Sequence, residues 1–311
     1  LFDSQVNVYF EYGTVSGNYN FSTEQITTTT GEPVEVKVTG LLPETRYYYR
    51  VRYKKPADTI FKSGDEYNYI TQRKKGSTFT FTMESDPHPY DKKCYQPLWD
   101  ICLKNQQADK PDFMFDLGDT FMTDKYRENY KNAWNQYIAQ RYYLGLLCKS
   151  APLFFVQGNH DGEAGQRLNG NADNMTVWSN LTRKTFFPNP IPDNFYTGNT
   201  EENPFCSKIQ NYYAFSWGNA LFVVLDPFWY TPRTGMDNPW DRTLGKQQYD
   251  WLKTTLENSN TAFKFVFIHN LVGGVDLKGK ARGGSEVAGL YEWGGKNSDG
   301  TEGFKSHRPD W

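Results

Sequence analysis

The sequence predicts an α/β domain preceded by a smaller all-β region. Residues 1–75 carry period-2 apolar runs separated by clusters of Gly, Pro, Asn and Thr, which is typical of antiparallel strands. After Gly76, short apolar runs alternate with longer amphipathic stretches, which indicates strands alternating with helices. A chain of 311 residues is long enough for two domains of about 100–200 residues each. We therefore expect one domain over residues 1–75 and a second over residues 76–311.

The all-β region has one sharper motif. Residues 41–47 read Leu-Leu-Pro-Glu-Thr-Arg-Tyr and resemble the L-x-P-x-T-x-Y corner of fibronectin type III domains, in which Tyr47 would hydrogen-bond back to the backbone. The region is shorter than the ~100 residues of a full sandwich of this kind. We therefore expect a partial fibronectin III-like sandwich whose first strands precede Leu1. Its strands are predicted at Val6–Glu11, Val34–Val38, Tyr47–Tyr53 and Tyr67–Thr71.

The α/β region is predicted to alternate between two kinds of element. Strands are predicted at Thr78–Met83, Phe113–Phe115, Leu153–Val156, Tyr212–Trp217, Leu221–Leu225 and Phe263–Ile268. Helices are predicted at Tyr95–Gln107, Asp124–Cys148, Asn174–Phe186 and Gly245–Glu257. Because the strands are short and almost wholly apolar, we expect them to be buried on both faces, as in α/β proteins.

Composition excludes several classes of protein. The 17% of aromatic residues argues against a disordered chain, and the net charge of -2 argues against general binding of nucleic acid or anionic membranes. No apolar run approaches the ~18 residues of a transmembrane helix. None of the four cysteines lies in a CxxC pair, so a zinc ribbon is not expected, and three disulfide pairings stay open.

Polar side chains of metal-ligand type follow five of the predicted strands. The carboxyl ends of strands are where α/β sheets bind ligands, and three of the four histidines of the chain fall there. Carboxylate, imidazole and amide groups without cysteine suit Zn, Mn or Fe. Each short motif alone would more often be a loop or a turn, but their ordered repetition favours a metal site. The motifs are Asp86-x-His88, Gly118-Asp119, Gly158-Asn159-His160-Asp161, Asp226 and His269.

This ordered set resembles the calcineurin-like metallophosphoesterases, and the preceding β region is similar to that of the purple acid phosphatase-like branch. The resemblance implies an αββα sandwich that hydrolyses small phosphoesters with two divalent or trivalent ions, Fe, Zn or Mn. It implies that Asp86, His88 and Asp119 hold one ion, and that Asp119, Asn159 and His269 hold the other.

The resemblance also implies the roles of the remaining motif residues. A hydroxide that bridges the two ions would attack phosphorus in line, and His160 would protonate the leaving oxygen as a general acid. Asp161 would orient His160.

The sequence departs from the family pattern at two points. Met122 stands three residues after Asp119, where purple acid phosphatases have a tyrosine that binds ferric iron, so an ordinary divalent pair is expected. No histidine follows His307, although the family ends with Gly-His-x-His, so we expect that the chain stops before this motif.

Substrate and setting stay open at this point. The same site hydrolyses phosphomonoesters, phosphodiesters or nucleotides, and the surrounding loops decide which. A different class of function is a non-catalytic extracellular binding protein whose active module is the β sandwich. We expect an extracytoplasmic or secreted protein, and the sequence does not determine its oligomeric state.

Overall fold

The computed structural model describes residues 4–89, 94–230 and 244–269. The amino-terminal part is one antiparallel sheet of six strands, with the order β2-β1-β4-β5, while β3 also pairs with β1 and β6 with β4. The predicted β-rich region is therefore present. The strands are β1 (Asn7–Gly13), β2 (Phe21–Ser22), β3 (Ile26–Thr27), β4 (Arg46–Lys54), β5 (Lys62–Ser63) and β6 (Tyr67–Ile70).

The strand predicted at Val34–Val38 does not form. These residues pair with no strand of the described chain. Their side chains still alternate, since Val34, Val36 and Val38 are half-buried whereas Glu35 and Lys37 are exposed. Alternation determines which face of a segment is buried, but a ladder also needs a neighbour with unpaired backbone groups. Here β1 and β4 pair with each other over seven residues.

Tyr47 forms the contact expected of a tyrosine corner. The backbone N–H of Leu42 donates to Tyr47 Oη at 3.0 Å, and Tyr47 is 4% exposed at the start of β4. This hydrogen bond ties the loop before β4 to the sheet. The assignment of residues 1–75 to a fibronectin III-like domain stays a prediction.

The remainder of the described chain contains two larger sheets and a small hairpin. β7, β8 and β9 pair in parallel in that order, and the second sheet has the order β10-β13-β14-β15. β13 and β14 form an antiparallel hairpin, and β14 pairs in parallel with β15. The strands are β7 (Phe81–Glu84), β8 (Phe113–Asp116), β9 (Leu153–Phe155), β10 (Thr197–Gly198), β11 (Glu202–Asn203), β12 (Ser207–Lys208), β13 (Tyr213–Trp217), β14 (Ala220–Val224) and β15 (Phe263–Phe267).

Four α-helices connect these strands, close to their predicted positions. They are α1 (Gln96–Ala108), α2 (Trp134–Cys148), α3 (Met175–Phe186) and α4 (Lys246–Glu257). The start of α3 has a clear cause, because the Asn174 side chain accepts the backbone N–H of Val177 at 3.0 Å. None of the described helices is both long and apolar enough to cross a lipid bilayer.

The single helix predicted over Asp124–Cys148 is interrupted. Its first part is a run of 3-10 turns at Thr123–Ala133, which is broken by non-helical backbone at Arg127 and Asn129. Arg127 has a φ of 35°, which is unfavourable for a residue other than glycine. Only the second part is α-helical, as α2. The amphipathic pattern across 124–148 therefore predicted burial correctly but not a continuous helix.

Aromatic rings fill the space between the two sheets. Phe222 of β14 lies 5.2 Å from Phe113 of β8 and 5.3 Å from Phe215 of β13, measured between ring centroids. Phe115 of β8 stacks on Phe267 of β15 at 4.1 Å. These contacts bury the facing sides of both sheets in one core.

Helices cover the outer faces of the two sheets. Trp99 and Leu103 of α1 and Leu144 of α2 pack on Met114 of β8. On the other sheet, a second cluster joins α4 to the outward side chains of β13 and β14. The layer order is helix, sheet, sheet, helix, which confirms the predicted αββα sandwich.

We expect Phe222→Ala to lower the free energy of unfolding by about 3–5 kcal/mol, because the truncation leaves a cavity in the fully buried core. Phe263→Ala is the matched control, since Phe263 lies on β15 of the same sheet but is 61% exposed. It should cost less than about 1 kcal/mol. Urea denaturation followed by tryptophan fluorescence measures both, and equal losses would contradict this account of the core.

Candidate metal centre

The predicted ligands lie where the strand ends of the two sheets meet. Asp86 follows β7, Asp119 follows β8 and Asn159 follows β9, so the parallel strands bring them to one edge. His269 follows β15 in the other sheet, yet its Nδ1 lies 2.8 Å from the backbone oxygen of Leu117. Its Nε2 lies 3.2 Å from Asn159 Oδ1. The packing of the two sheets thus brings His269 of one sheet next to the ligands carried by the other.

Asp119 lies at the centre of the group. Its Oδ2 is 3.5 Å from His88 Nε2 and 3.8 Å from His160 Nε2. Its Oδ1 is 3.5 Å from His269 Nε2 and accepts the backbone N–H of His160 at 2.8 Å. The carboxylate is 3% exposed. Its two oxygens therefore face different sets of neighbours.

Asp86 and His88 converge for a reason that the sequence did not predict. A spacing of two residues puts both side chains on one side only if the segment is extended. In the structure, Asp86 and His88 have left-handed φ values of 57° and 44°. His88 Nε2 lies 3.2 Å from Asp86 Oδ1, and the Asp86 backbone N–H donates to Gly118 O at 3.0 Å. Asp119 also has a positive φ, 58°, so strained backbone concentrates at this site, as it often does at functional sites.

The geometry fits a metal ion. Asp86, Asp119 and His269 each offer one ligand atom, and these atoms lie within 4.8 Å of one another. Two ligands at about 2.1 Å from the same ion are at most about 4.2 Å apart. Asp119 Oδ1 lies 3.5 Å from His269 Nε2, and Asp119 Oδ2 lies 3.5 Å from His88 Nε2, so each of these two pairs falls in this range. Oxygen and imidazole donors suit Zn, Mn or Fe.

Two histidines beside Asp119 stabilise its negative charge. Burial raises the pKa of Asp119, but the ion pair with His269 and the nearby His160 outweigh burial, so the pKa is lowered overall. Burial lowers the pKa of His269, and Asp119 more than reverses this and raises that pKa to about 9. The carboxylate is thus kept ionised by the cationic groups around it.

His160 has a carboxylate partner that the sequence analysis missed. Its Nδ1 lies 2.7 Å from Asp124 Oδ2, while its Nε2 faces Asp119. The hydrogen bond with Asp124 raises the pKa of His160. The sequence pattern places Asp124 at the start of the helix predicted over Asp124–Cys148 and gives it no role at the site. In the structure Asp124 lies in the 3-10 segment that follows Asp119.

Asp161 does not orient His160, and we correct its expected role. Its carboxylate instead accepts the backbone N–H groups of Gly158 at 2.7 Å, Thr120 at 2.8 Å, Phe121 at 2.9 Å and Asp119 at 3.0 Å. Burial and the nearby charge of Asp119 raise the pKa of Asp161 to about 7. The contact that holds the His160 ring comes from Asp124.

Asp226, the remaining strand-end aspartate predicted from the sequence, follows β14. Asp226 is buried and accepts the backbone N–H of Phe228 at 2.8 Å and the side chain of Asn211 at 2.8 Å, so it shapes the loop after β14. Phe228 in turn places its ring 6.0 Å from that of His269. Met122 is 1% exposed, and His307 lies outside the described residues.

Comparison with known proteins agrees with this geometry. The family model of calcineurin-like phosphoesterases matches residues 79–294. The chain belongs to this family. Calcineurin-like phosphoesterases are metal-dependent, and the grouping of Asp86, Asp119 and His269 is of the kind that holds such a metal. No curated protein matches the chain significantly.

Two solved structures share the fold. A structure of PhoD is 19% identical with a TM-score of 0.52, and the match covers 85% of this chain and 55% of that one. A purple acid phosphatase, PPD1, isolated from yellow lupin (Lupinus luteus) seeds, is 15% identical with a TM-score of 0.54, with coverage of 90% and 50%. The chain therefore spans about half the length of the structures that it matches.

We expect Asp124→Asn to lower the pKa of His160, because the variant removes the negative charge that stabilises the imidazolium. NMR titration of the His160 ring measures this shift. Asp173→Asn is the control, since Asp173 is an exposed carboxylate that pairs with Lys131 and should leave the titration unchanged. An unaltered pKa in Asp124→Asn would show that the 2.7 Å contact does not form in solution.

Proposed function

We propose that the chain is a phosphoester hydrolase that holds two metal ions, drawn from Fe, Zn or Mn. Asp86 and His88 would hold one ion, Asn159 and His269 the other, and Asp119 both. The observation that carries this proposal is the position of Asp119, whose Oδ2 faces His88 and whose Oδ1 faces His269, each at 3.5 Å. A carboxylate placed in this way is suited to bridge two ions.

When bound, such ions polarise phosphoryl oxygens and make water a good nucleophile near neutral pH. The chain itself supplies the proton for the leaving group. His160 Nε2 faces the ligand group, 3.8 Å from Asp119 Oδ2, while Nδ1 is engaged by Asp124. The raised pKa of His160 keeps this ring protonated at a higher pH than an isolated histidine. His160 is therefore suited to act as a general acid, with Asp124 orienting the ring.

A phosphodiester or nucleotide substrate is the second candidate. The observation that favours it is Phe228, whose ring lies 6.0 Å from His269 at the edge of the site. An aromatic ring in this place offers a stacking surface to a base or another ring next to the phosphate. Turnover of p-nitrophenyl phosphate compared with its bis-ester separates monoesterase from diesterase activity. Turnover of neither would favour a binding protein.

We expect Asp119→Asn to lose metal and hydrolysis together, because the neutral amide cannot hold two cations. The loss should exceed the roughly 10–100-fold that follows removal of an outer partner of a ligand. Metal analysis and p-nitrophenyl phosphate turnover measure it, with a chelator as a second route to the same loss. Asp250→Asn, which changes an exposed carboxylate on α4, is the control and should behave as the parent. Full activity in Asp119→Asn would refute the two-metal site.

His160→Ala should lower kcat by about 10²–10⁴-fold for a phosphoester with a poor leaving group. The loss should be smaller for p-nitrophenyl phosphate, because nitrophenolate leaves without a proton. Metal content should hardly change, since the ring bonds to Asp124 and is not counted among the ligands. Steady-state kinetics with an alkyl and an aryl phosphate give the comparison. Equal losses for both substrates would remove His160 from the role of general acid.

A further inference from the structure

The carboxylate of Asp161 lies between two loops of the site. It accepts the N–H of Gly158 in its own loop, and it accepts the N–H groups of Asp119, Thr120 and Phe121 in the loop after β8. Asp161 is 1% exposed, so water does not compete for these bonds. One side chain thus satisfies four buried backbone donors that belong to two different strand ends.

The two loops approach too closely for most side chains. A Cβ on Gly158 would lie 2.2 Å from the backbone nitrogen of Asp119 and 2.3 Å from its Oδ1. A Cβ on Gly118 would lie 2.4 Å from the backbone nitrogen of Gly158. Gly158 is not among the glycines with a positive φ, so close approach alone demands glycine there. The spacing between the loops is therefore set by backbone contact.

These loops carry the groups assigned above to metal and substrate. Asp119 follows Gly118, and Asn159 and His160 follow Gly158. The His160 backbone N–H also donates to Asp119 Oδ1 at 2.8 Å. Any change in the spacing of the loops consequently moves the Asp119 carboxylate relative to the Asn159 amide.

We propose that Asp161 is a positioning residue that sets the distance between the Asp119 and Asn159 ligands by holding both loops through their backbone N–H groups. The expected effect on metal binding rests on the proposed function, whereas the expected effect on the conformation of the loops does not. Asp161 touches neither substrate nor metal in this role. It acts through Asp119 and Asn159.

The four backbone N–H donors explain why residue 161 is an aspartate. An ionised carboxylate only accepts hydrogen bonds and has about four lone-pair sites on its two oxygens, which matches the four N–H groups. An asparagine of the same shape keeps one accepting oxygen and turns an NH₂ group toward backbone donors. Buried donors that lose their acceptor are destabilised. Asp161→Asn therefore changes the loops with almost no change of volume.

The first measurement is hydrogen exchange of the metal-free protein. In Asp161→Asn, the amides of residues 119–121 and 158 should exchange at least about tenfold faster than in the parent, because at least one pair loses its acceptor. The second measurement is calorimetric titration with Zn²⁺ and with Mn²⁺. Loss of an outer partner typically weakens metal binding by about 10–100-fold, and we expect a loss in this range.

Asp112→Asn is the matched control. Asp112 is also a buried aspartate, 3% exposed, and it accepts the Thr80 backbone N–H at 3.0 Å and the Arg73 side chain. It precedes β8, whereas the metal ligands follow the strands. This variant should lose stability but keep the parent's metal affinity and the parent's exchange rates in the two loops. Equal loss of metal affinity in both variants would overturn the proposal, since the effect would then be general destabilisation.

Gly158→Ala is the second variant and decides the matter if Asp161→Asn does not fold. The added methyl group pushes the two loops apart and leaves the Asp161 side chain unchanged. Like Asp161→Asn, this variant should weaken metal binding. Parental metal affinity and parental loop exchange in either folded variant would refute the positioning role. If the parent itself bound no metal, the proposed function would fail, and hydrogen exchange alone would still test whether Asp161 holds the loops.

Discussion

The stacking of phenylalanine rings between the two sheets aligns the strand ends that carry the site. Phe115 and Phe267 stack at 4.1 Å, which aligns the end of β8 with the end of β15. Asp119 follows the first strand and His269 the second, so the same contact that forms the core also brings the imidazole to the carboxylate. Because packed aromatic cores are rigid, ligands from opposite sheets keep a defined separation. The site is consequently a product of the sandwich as a whole.

Beneath the ligands lies an unusual concentration of buried carboxylates. Burial raises the pKa of Glu84 to about 7, and burial together with the charge of Glu84 raises the pKa of Asp116 well above its ordinary value. Asp119, next to His269 and His160, instead has a lowered pKa. Negative charge is therefore stabilised at Asp119, where the two histidines approach, and disfavoured at the buried carboxyls that lack a cationic neighbour.

Buried carboxylates also act as structural acceptors in this fold. Asp116 accepts the backbone N–H of Gly118 and the Thr120 hydroxyl, and Asp226 does the same for the loop after β14. Loops that leave buried strands carry backbone donors with no ladder partner, and an acidic side chain satisfies them. This explains why so many of these strands end in aspartate, although among the described aspartates only Asp86 and Asp119 fall in the group that could hold a metal ion. A polar residue at a strand end is therefore an ambiguous signal for a ligand.

The amino-acid sequence by itself determined the order and type of the main elements. Apolar runs located β7, β8, β9, β13, β14 and β15, and amphipathic spacing located the four helices, because burial of a face is a local property of the pattern. The spacing of Asp86, Asp119, Asn159 and His269 after successive strands also indicated one site. Two predictions from the sequence pattern were wrong, one because a strand lacked a pairing partner and one because the backbone departed from helical geometry. Val34–Val38 alternates but has no partner strand, and 124–133 is amphipathic but breaks at Arg127.

Only the tertiary structure showed which of two acidic residues, Asp124 or Asp161, bonds to the His160 ring. Asp161 is adjacent in sequence, yet the turn directs its carboxylate to backbone donors, while Asp124 arrives from another loop at 2.7 Å from the ring. The left-handed backbone at Asp86 and His88 likewise cannot be read from their residue types. The Asp86 backbone N–H bonds to Gly118 of a loop that is distant in sequence. Sequence thus determined which chemical groups reach this end of the sheets. Which of these groups bond to each other was decided by the tertiary structure, because a hydrogen bond depends on the distance and direction between atoms of segments that are far apart in the chain.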